Sequence, residues 1–402
     1  MTYRDLRKIF HSNPQAYDSE YEARFNSPQS RKIGFDVSGS PAFFVMTPEI
    51  YQAELAAARL DKELYQLCLS LPGKAIESYQ ESNLIDEIVI TNEIEGVQST
   101  RREIGGALER LEKNDKHGRF HGLVQKYRML SRREAIPILT CEDVRSIYDD
   151  LVLDEVIRGN PNNAPDGTLF REGPVSVCDA SGIPIHQGVE PESKIVRSLQ
   201  TALDLLNNTD IEPLARISLF HFLFGYIHPF YDGNGRTNRF ISSYVLSTKF
   251  EPLVGFKLSR TIKQHIQQYY KGYTVCEHPL NKGDLTPFVM AFSDIIVSAM
   301  ESMRDSLSEL RALLQQGEEL VERVFAPDET IREVGFILVT AALFAFEGIT
   351  MKELTSALDA SRQTVYKRLA PFKERGVLIV RNVGRRTYYR MDLDALERIA
   401  NE

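Results

Sequence analysis

A polar stretch, HPFYDGNGRTNR at 228–239, constrains the fold more than any other part of the chain. The run ARISLFHFLFGYI at 215–227 precedes it, and its pattern predicts a helix; a second helix is predicted from about Arg236 onward. Gly233 and Gly235 permit backbone conformations that other residues resist. A glycine-containing turn before a helix presents unpaired N–H groups and the positive end of the helix dipole. The sequence therefore predicts two helices joined by an anion-binding turn.

The polar side chains of this turn suit a polyphosphate. Arg236 and Arg239 lie three residues apart, so both guanidinium groups point the same way and match phosphate oxygens. Asn234 adds a side-chain amide, and Asp232 offers the hard oxygen with which proteins hold Mg²⁺ beside phosphates. His228 is suited to accept a proton from a hydroxyl near neutral pH. The alternative, a simple helix cap beside a core histidine, leaves this density of matched residue types unexplained.

These residue types indicate phosphoryl or nucleotidyl transfer, which depends mostly on positioning and charge neutralisation. The chain has no G-x-x-x-x-G-K-[ST] motif, so a Walker-A loop is excluded. Its net charge of −8 argues against a general nucleic-acid coat.

Most of the chain is predicted to be helical. Residues 1–45 are poorly periodic and are expected to be irregular with one short strand. A helix is predicted to begin at Thr47-Pro48, and another to cover 83–96 and end at its glycine. A T-x-x-E capping box formed by Thr100 and Glu103 begins the next helix.

The remainder of the chain predicts a hairpin and a separate C-terminal unit. Two β-prone runs at 175–186 surround the turn sequence Asp-Ala-Ser-Gly. DLTPF at 284–288 opens a long helix with Thr286 as its cap, and a charged link follows near 316–330. Residues 331–391 show the order helix, helix–turn–helix and two-stranded wing, which is typical of a winged helix-turn-helix.

Cysteine spacing and hydropathy bear on the compartment. The four cysteines form no C-x-x-C pair, so neither a zinc site nor a disulfide framework is indicated. The start, MTYRDLRKIF, lacks the apolar region of a signal peptide. The longest apolar run, 336–346, is shorter than the roughly 20 residues of a membrane span. We therefore expect a cytoplasmic protein with no membrane partner.

The stretch at 228–239 resembles the signature of Fic (filamentation-induced-by-cyclic-AMP) domain proteins, H-x-F-x-[D/E]-G-N-G-R-x-x-R, at every fixed position. The hairpin at 175–186 resembles the family's target-binding flap, and NKGDLTPF at 281–288 agrees with the region downstream. In such a flap, Ile183 and Ile185 would help to hold a target segment added as a strand. The resemblance covers roughly residues 80–300.

The resemblance implies transfer of AMP from ATP to a Ser, Thr or Tyr hydroxyl of a protein, with release of pyrophosphate. His228 would deprotonate the hydroxyl, and Asp232 would hold Mg²⁺, or Mn²⁺ in its place, on the α- and β-phosphates. Arg236 would contact the β-phosphate and Arg239 the γ-phosphate, while Phe230 would face the core. The anion hole would be lined by Gly233, Asn234 and Gly235.

Autoinhibition is also implied, because TNEIEG at 91–96 matches the [S/T]-x-x-x-E-[G/N] pattern of the family's inhibitory helix. In the family this glutamate pairs with the second arginine of the loop and misplaces the γ-phosphate. The corresponding pair in this chain is Glu95 and Arg239. Taken alone, Glu95 would be read as a solvated carboxylate at a helix end.

The fold class expected from these patterns is mainly α, a Fic-type helical core with a β-hairpin flap followed by a winged helix-turn-helix domain. The domains expected are an N-terminal region at 1–120 with its inhibitory helix at 83–96, a Fic core at 121–318 with its flap, and the winged helix at 331–402.

The sequence of the C-terminal domain does not decide whether its partner is DNA or protein. Residues 331–402 carry a net charge of +3, from 12 basic and 9 acidic residues. In the predicted recognition helix, Arg362, Gln363 and Lys367 could meet DNA, with Thr364 and Arg368 beside them, and the wing arginines at 381, 385 and 386 could meet phosphates. Winged helices also serve as protein-interaction or dimer modules.

Three functions stay open at this point. The first is an autoinhibited adenylyltransferase acting on protein targets or on itself, in monomeric or homodimeric form. The second is a DNA-binding regulator whose Fic core senses nucleotide, and the third is removal of AMP from modified protein by the same site. The sequence does not identify the target, the modified residue or the residues around the adenine.

Overall fold

The computed structural model describes residues 3–115, 118–178, 184–384 and 386–402. The described chain is mainly helical with small sheets, which confirms the mainly α part of the predicted fold class. It divides into two compact units. Unit 1 comprises Met1–Lys62 and Leu84–Glu301, and unit 2 comprises Glu63–Asn83 and Ser302–Glu402. The domain boundaries expected from the sequence divide the chain by proposed role, whereas these units are divided by compactness. The expected boundaries therefore stay a prediction.

The first 45 residues are more regular than the sequence predicted. They contain two helices and an antiparallel strand pair: α1 Leu6–Ser12, α2 Tyr17–Phe25, β1 Ser30–Val37 and β2 Ser40–Val45. The backbone of Phe43 bonds to distant residues, donating to Gly283 at 3.0 Å and accepting from Leu285 at 2.8 Å. The order of this region therefore depends on a partner more than 200 residues away, which no local pattern can reveal.

The next helices begin at the predicted caps. They are α3 Pro48–Ser70, α4 Gly73–Ile94 and α5 Arg101–Glu112. Thr47 accepts from the backbone of Ile50, and the capping box of Thr100 and Glu103 is complete. The helix predicted over 83–96 is the second half of the longer α4, so the predicted start was wrong. Gly96 follows α4 in the left-handed region, at φ +70°.

A short helical segment and a hairpin come next. The helices are α6 His121–Ser131, α7 Cys141–Tyr148 and α8 Asp154–Gly159, with a π-helical turn at Asp149–Leu153 between the last two. The predicted hairpin is present as β3 Ser176–Cys178 and β4 Pro184–Gln187, with Val177 opposite His186. Residues 179–183, including Ile183, and the side chain of Ile185 lie outside the description.

Two buried helices form the centre of unit 1. The helices of this region are α9 Glu192–Asn207, α10 Pro213–Ile227, α11 Asn234–Lys249, α12 Leu258–Gln264 and α13 Ile266–Cys276. Every residue of α10 from 214 to 224 is buried, as expected for a helix that is apolar on all sides. α11 is also buried along most of its length, although it is polar. The turn between these two helices is therefore held by the core of the unit.

The long helix α14, Thr286–Phe325, begins where the sequence predicted, but its cap differs. Asp284 accepts the backbone N–H of Thr286 at 3.0 Å, whereas the Thr286 hydroxyl accepts the backbone N–H of Val45 at 3.0 Å. Thr286 therefore fastens strand β2 instead of capping its own helix. The link expected near 316–330 is mostly helix, because α14 continues to Phe325.

Unit 2 contains the C-terminal elements in the predicted order. They are α15 Glu329–Phe344, β5 Ile349–Thr350, α16 Met351–Ala357, α17 Arg362–Glu374, β6 Leu378–Val383, β7 Arg386–Met391 and α18 Leu393–Ala400. The three strands form one sheet with β7 in the middle. The assignment of this unit as a winged helix stays a prediction. In the part of the chain that the structure describes, no helix is both long and apolar enough to span a membrane.

Candidate active site

The turn between α10 and α11 owes its shape to two left-handed residues and one side-chain clamp. His228 follows α10 at φ 52°, and Gly233 precedes α11 at φ 81°. The Asn234 side chain accepts from the backbone of Phe230 at 3.0 Å and donates back to its carbonyl at 2.7 Å. The sequence assigned this amide to phosphate, but its polar atoms are engaged within the turn. Asn234 therefore shapes the loop.

Phe230 anchors the middle of the turn in the core. It is fully buried, as the resemblance implied. Its ring stacks on Tyr148 of α7, with centroids 3.6 Å apart, and meets Phe170 edge-on at 5.4 Å. A side chain at Gly233 would approach Tyr148 and Val152, so glycine keeps the turn close to this wall. The polar residues on either side are consequently held on a rigid support.

The His228 imidazole has a defined hydrogen-bond partner and a lowered pKa. Its Nδ1 lies 3.3 Å from the carbonyl oxygen of Gly225. Since a carbonyl only accepts hydrogen bonds, Nδ1 carries the proton and Nε2 keeps a lone pair. Burial lowers the pKa of His228 to about 4, and the nearby charge of Arg171 adds to this effect. The imidazole is therefore neutral at pH 7 and able to take up a proton.

Asp232 lies just before the start of α11, where the sequence predicted an anion cradle. Asp232 is exposed, and its Oδ1 accepts the backbone N–H of Gly233 at 2.5 Å. Within the described ranges no group of three or more metal-ligating side chains occurs. The single exposed carboxylate of Asp232 fits Mg²⁺, because Mg²⁺ keeps several waters and takes one or two carboxylates beside phosphates.

Arg239 is held by the end of α4. Its Nη2 donates to Glu95 Oε1 at 2.8 Å and to the carbonyl of Thr91 at 3.1 Å, and its Nε donates to the Thr91 hydroxyl at 2.8 Å. Arg239 is only 2% exposed, and Glu95 is 27% exposed. Although burial alone would lower it, the adjacent Glu95 carboxylate raises the pKa of Arg239 above its usual value. The pair predicted from the sequence pattern is therefore formed.

The Glu95 carboxylate also occupies the cradle itself. A Cβ added at Gly235 would overlap with Glu95 Oε1 and lie 3.0 Å from Arg239 Nη1. A negatively charged oxygen thus rests directly on the first turn of α11, where the helix dipole favours an anion.

Arg236 has a carboxylate partner that the sequence did not predict. Its Nη1 donates to Glu155 Oε2 at 2.6 Å, and Glu155 Oε1 also accepts from Arg119 at 3.2 Å. Glu155 belongs to α8, which follows the π-helical turn. Nothing in its local pattern distinguishes it from any exposed helical glutamate, so the sequence offered no signal for this contact.

The sequence spacing also offered a signal for Glu87, a further glutamate that faces this region. Glu87, Thr91 and Glu95 are four residues apart and share one face of the helix. Glu87 is fully buried and accepts both the backbone N–H and the hydroxyl of Ser259. Burial raises its pKa to about 7. Glu87 therefore anchors α4 against the start of α12, which holds the C-terminal end of α4 in place.

The side chains predicted to meet DNA lie in unit 2, on one exposed face of α17. Arg362, Gln363 and Lys367 line a shallow surface together with Tyr366 and Ala370. Arg362 Nη2 donates to the Tyr366 hydroxyl at 3.2 Å.

Two of the other arginines predicted to contact DNA are paired with carboxylates. Arg368 lies 3.9 Å from Glu333, and Arg381 donates to Glu347 at 2.8 Å, so both arginines already have carboxylate partners. Arg385 lies outside the described residues.

A comparison with known protein families matches the part of the chain that contains this site. Residues 138–246 match the Fic/DOC family, and the matched range includes the whole turn, helix α10 and most of helix α11. This range is therefore similar to Fic domains. It includes the hairpin β3–β4 as well, whereas Glu95 lies upstream of the matched range.

Relatives of the Fic domain share its sequence at moderate identity. The protein adenylyltransferase fic-1 of Caenorhabditis elegans is 26% identical over 163 residues, which are 39% of this chain and 29% of the nematode protein. The protein adenylyltransferase Fic of Drosophila melanogaster is 26% identical over 216 residues, 52% of this chain and 40% of the fly protein. This chain therefore corresponds to less than half the length of these relatives.

A Fic family protein of solved structure, from Desulfovibrio desulfuricans G20, aligns with 86% of this chain and 97% of its own length, at a TM-score of 0.48 and 21% identity.

Proposed function

We propose that this chain is a protein adenylyltransferase that moves AMP from ATP to a Ser, Thr or Tyr hydroxyl and is restrained by its own Glu95. The observation that carries the proposal is the Fic-domain turn, in which a neutral histidine and two arginines stand beside a helix N-terminus. The names of the relatives, protein adenylyltransferases, support the same reaction.

The reaction would begin at His228. Its Nε2 takes the proton of the target hydroxyl, and the hydroxyl oxygen attacks the α-phosphorus of ATP. The bond between the α-phosphorus and the oxygen bridging to the β-phosphate breaks, and pyrophosphate leaves. Because the imidazole is neutral at pH 7, no prior deprotonation is needed.

The phosphates would lie on the first turn of α11. The backbone N–H groups of Asn234 and Gly235 face the anion, since that of Gly233 is bonded to Asp232. Arg236 contacts the β-phosphate, and Arg239 contacts the γ-phosphate. Asp232 would hold Mg²⁺, which neutralises phosphate charge when bound. Glu155 remains paired with Arg236 in this arrangement and keeps its guanidinium oriented.

Inhibition follows from the position of Glu95. Its carboxylate neutralises Arg239 and lies over Gly235, so the γ-phosphate lacks both its cation and its space. ATP would then bind with its α-phosphorus turned away from the attacking hydroxyl. Resting activity should therefore be low.

Labelled ATP distinguishes the possible reactions. The full chain is incubated with Mg²⁺ and ATP labelled at the α-phosphorus or, in a parallel sample, at the γ-phosphorus, and covalent label is measured on denatured protein. Adenylyl transfer predicts label from the α-position only. Label from the γ-position would indicate phosphoryl transfer, and binding without covalent label, even after Glu95 is replaced, would favour a nucleotide sensor.

We also propose that the exposed face of α17 binds DNA. The proposal is supported by Arg362, Gln363 and Lys367, which lie on one surface without a carboxylate contact in the described structure, beside the exposed ring of Tyr366. Basic side chains of such a face contact phosphates and base edges.

Duplex DNA should bind with an affinity that falls as salt rises, since each phosphate contact releases counterions. Lys367→Ala should weaken binding on all sequences and reduce the salt dependence by about one contact. Lys373→Ala is the matched control, because Lys373 is exposed on the same helix but outside this surface. Equal effects of the two substitutions in an electrophoretic shift assay would contradict the proposed face.

A further inference from the structure

The C-terminal end of α10 lies in the interior, just before His228. A helix leaves its last carbonyls without partners in its own backbone, and in a buried position each needs another donor. The backbone of Val189 donates to the Ile227 carbonyl at 3.0 Å, and His186 Nε2 lies 2.6 Å from the Tyr226 carbonyl. Strand β4 and the residues after it therefore supply hydrogen-bond partners to the last carbonyls on one side of this helix end.

Arg171 supplies hydrogen bonds on the other side of the end of α10. It is 0% exposed, and its Nε donates to the carbonyl of His228 at 2.9 Å. Its Nη1 donates to Gly173 at 2.7 Å, and its Nη2 donates to Val189 at 2.9 Å and to Ile227 at 3.4 Å. One guanidinium thus joins the helix end to the segment before β3 and to the segment after β4.

This arginine is unusual because its partners are backbone carbonyls. Within the described residues, no carboxylate lies at ion-pair distance from Arg171. A buried charge is costly unless it is compensated, and here the contacts come from carbonyl dipoles at the negative end of the α10 dipole, while the carboxylates of Glu190 and Asp166 act from a longer distance. Burial lowers the pKa of Arg171, which nevertheless remains a cation at neutral pH.

The surrounding backbone is shaped to admit the guanidinium. A Cβ added at Gly188 would overlap with Arg171 Nη2 and would lie 3.2 Å from the Cβ of His228. A Cβ added at Gly173 would lie 2.7 Å from the Tyr231 hydroxyl. Glycine on each side of the hairpin therefore lets the flap base approach Arg171 and the catalytic turn closely.

We propose that Arg171 is a positioning residue for adenylyl transfer, whose guanidinium fixes the backbone of His228 together with both ends of the hairpin β3–β4. The inference rests on the proposed function. Through Arg171, the base that takes the proton and the hairpin that would hold the target segment share one support, so the hydroxyl and Nε2 are placed against each other. Nothing in the sequence around position 171 indicated this role.

Two substitutions of Arg171 separate the effect of its hydrogen-bond geometry from the effect of its charge. Lysine keeps the positive charge but cannot form the planar fork, so Arg171→Lys alters geometry alone. Methionine has a similar length without charge, so Arg171→Met alters both. The charged groups that act on His228 are Arg171 and His186, which lower its pKa, and Glu95, which raises it.

The test uses the full chain carrying Glu95→Gly, with self-labelling from α-labelled ATP as the readout. Arg171→Lys should lower the maximal labelling rate about ten- to hundredfold, with the half-saturating ATP concentration unchanged, because small misplacements of reacting groups cost rate rather than ground-state binding. Arg171→Met should add an upward shift in the pH at which the rate falls on the acid side. Arg216→Lys is the matched control. Arg216 is a buried arginine within α10, and like Arg171 it donates to a backbone carbonyl, that of Asn208.

A parental rate for Arg171→Lys would overturn the proposal, as would a loss that appears equally in the ATP requirement or in the Arg216→Lys control. If Arg171→Met does not fold, the comparison of the two lysine variants decides alone. Absence of labelling in the Glu95→Gly parent would instead overturn the proposed function, and the inference with it.

Discussion

Glu95→Gly should raise self-labelling from α-labelled ATP about a hundredfold, which is the rate cost of a small misplacement of reacting groups. The substitution removes the carboxylate that lies 2.8 Å from Arg239 Nη2 and over Gly235. Thr91 still holds Arg239 through Nε and Nη2, so the guanidinium stays in position for the γ-phosphate. The gain is measured as the initial rate of covalent labelling.

Glu93→Gly is the matched control for this substitution. Glu93 lies two residues earlier and pairs with Lys263 at 2.6 Å, away from Arg239, so its loss should leave labelling at the parental rate. Glu95→Gln keeps the size of the side chain but removes its charge, and we expect partial activation. If Glu95→Gly shows no gain with either Mg²⁺ or Mn²⁺, autoinhibition by α4 is wrong.

His228→Ala, in the Glu95→Gly background, should lower labelling by about 10²- to 10⁴-fold, the range for loss of a general base. ATP affinity should stay nearly unchanged, because the base acts in the transition state and contributes little to ground-state binding. The two quantities are measured as labelling rate and as equilibrium binding of ATP. His265→Ala, at an exposed histidine, is the control and should have no effect. Parental labelling by His228→Ala would place the base elsewhere.

The pH profile offers a second test of His228. Its pKa lies below the ordinary value for histidine, at about 4, so the neutral form is present throughout the range above pH 5. Glu95 raises this pKa, and its removal lowers the pKa further. The labelling rate of Glu95→Gly should therefore be flat from about pH 6 to 8 and fall only as acid protonates the imidazole. A fall centred near pH 6.5, the ordinary histidine value, would contradict the lowered pKa of His228.

The chemistry of the turn could be predicted from sequence because its residues are neighbours in the chain. Gly233 before a helix, and arginines three residues apart on its first turns, determine their own relative positions through local backbone geometry. The same holds for the capping box of Thr100 and Glu103, which depends on residues within one turn. The pairing of Glu95 with Arg239, 144 positions apart, followed only from a family pattern and not from local geometry.

The tertiary structure decided the features that depend on distant partners. Strand β2 is completed by the backbone at 283–285, which local periodicity cannot show. Asn234 was assigned to phosphate from its chemistry, yet packing turns its amide inward onto Phe230. Glu155 reaches Arg236 across 81 positions, and Arg171 reaches His228 across 57.

The sequence by itself therefore determined which residues are predicted to carry the chemistry, whereas only the tertiary structure decided what holds them. A helix or a turn is specified by side chains a few positions apart, so its residues carry their own signal. A buried arginine among backbone carbonyls has no such signal, because its partners are groups that every residue possesses. The orientation of His228 depends on Arg171 in this way, and it became visible only when the chain had brought the end of α10 and the base of the hairpin together.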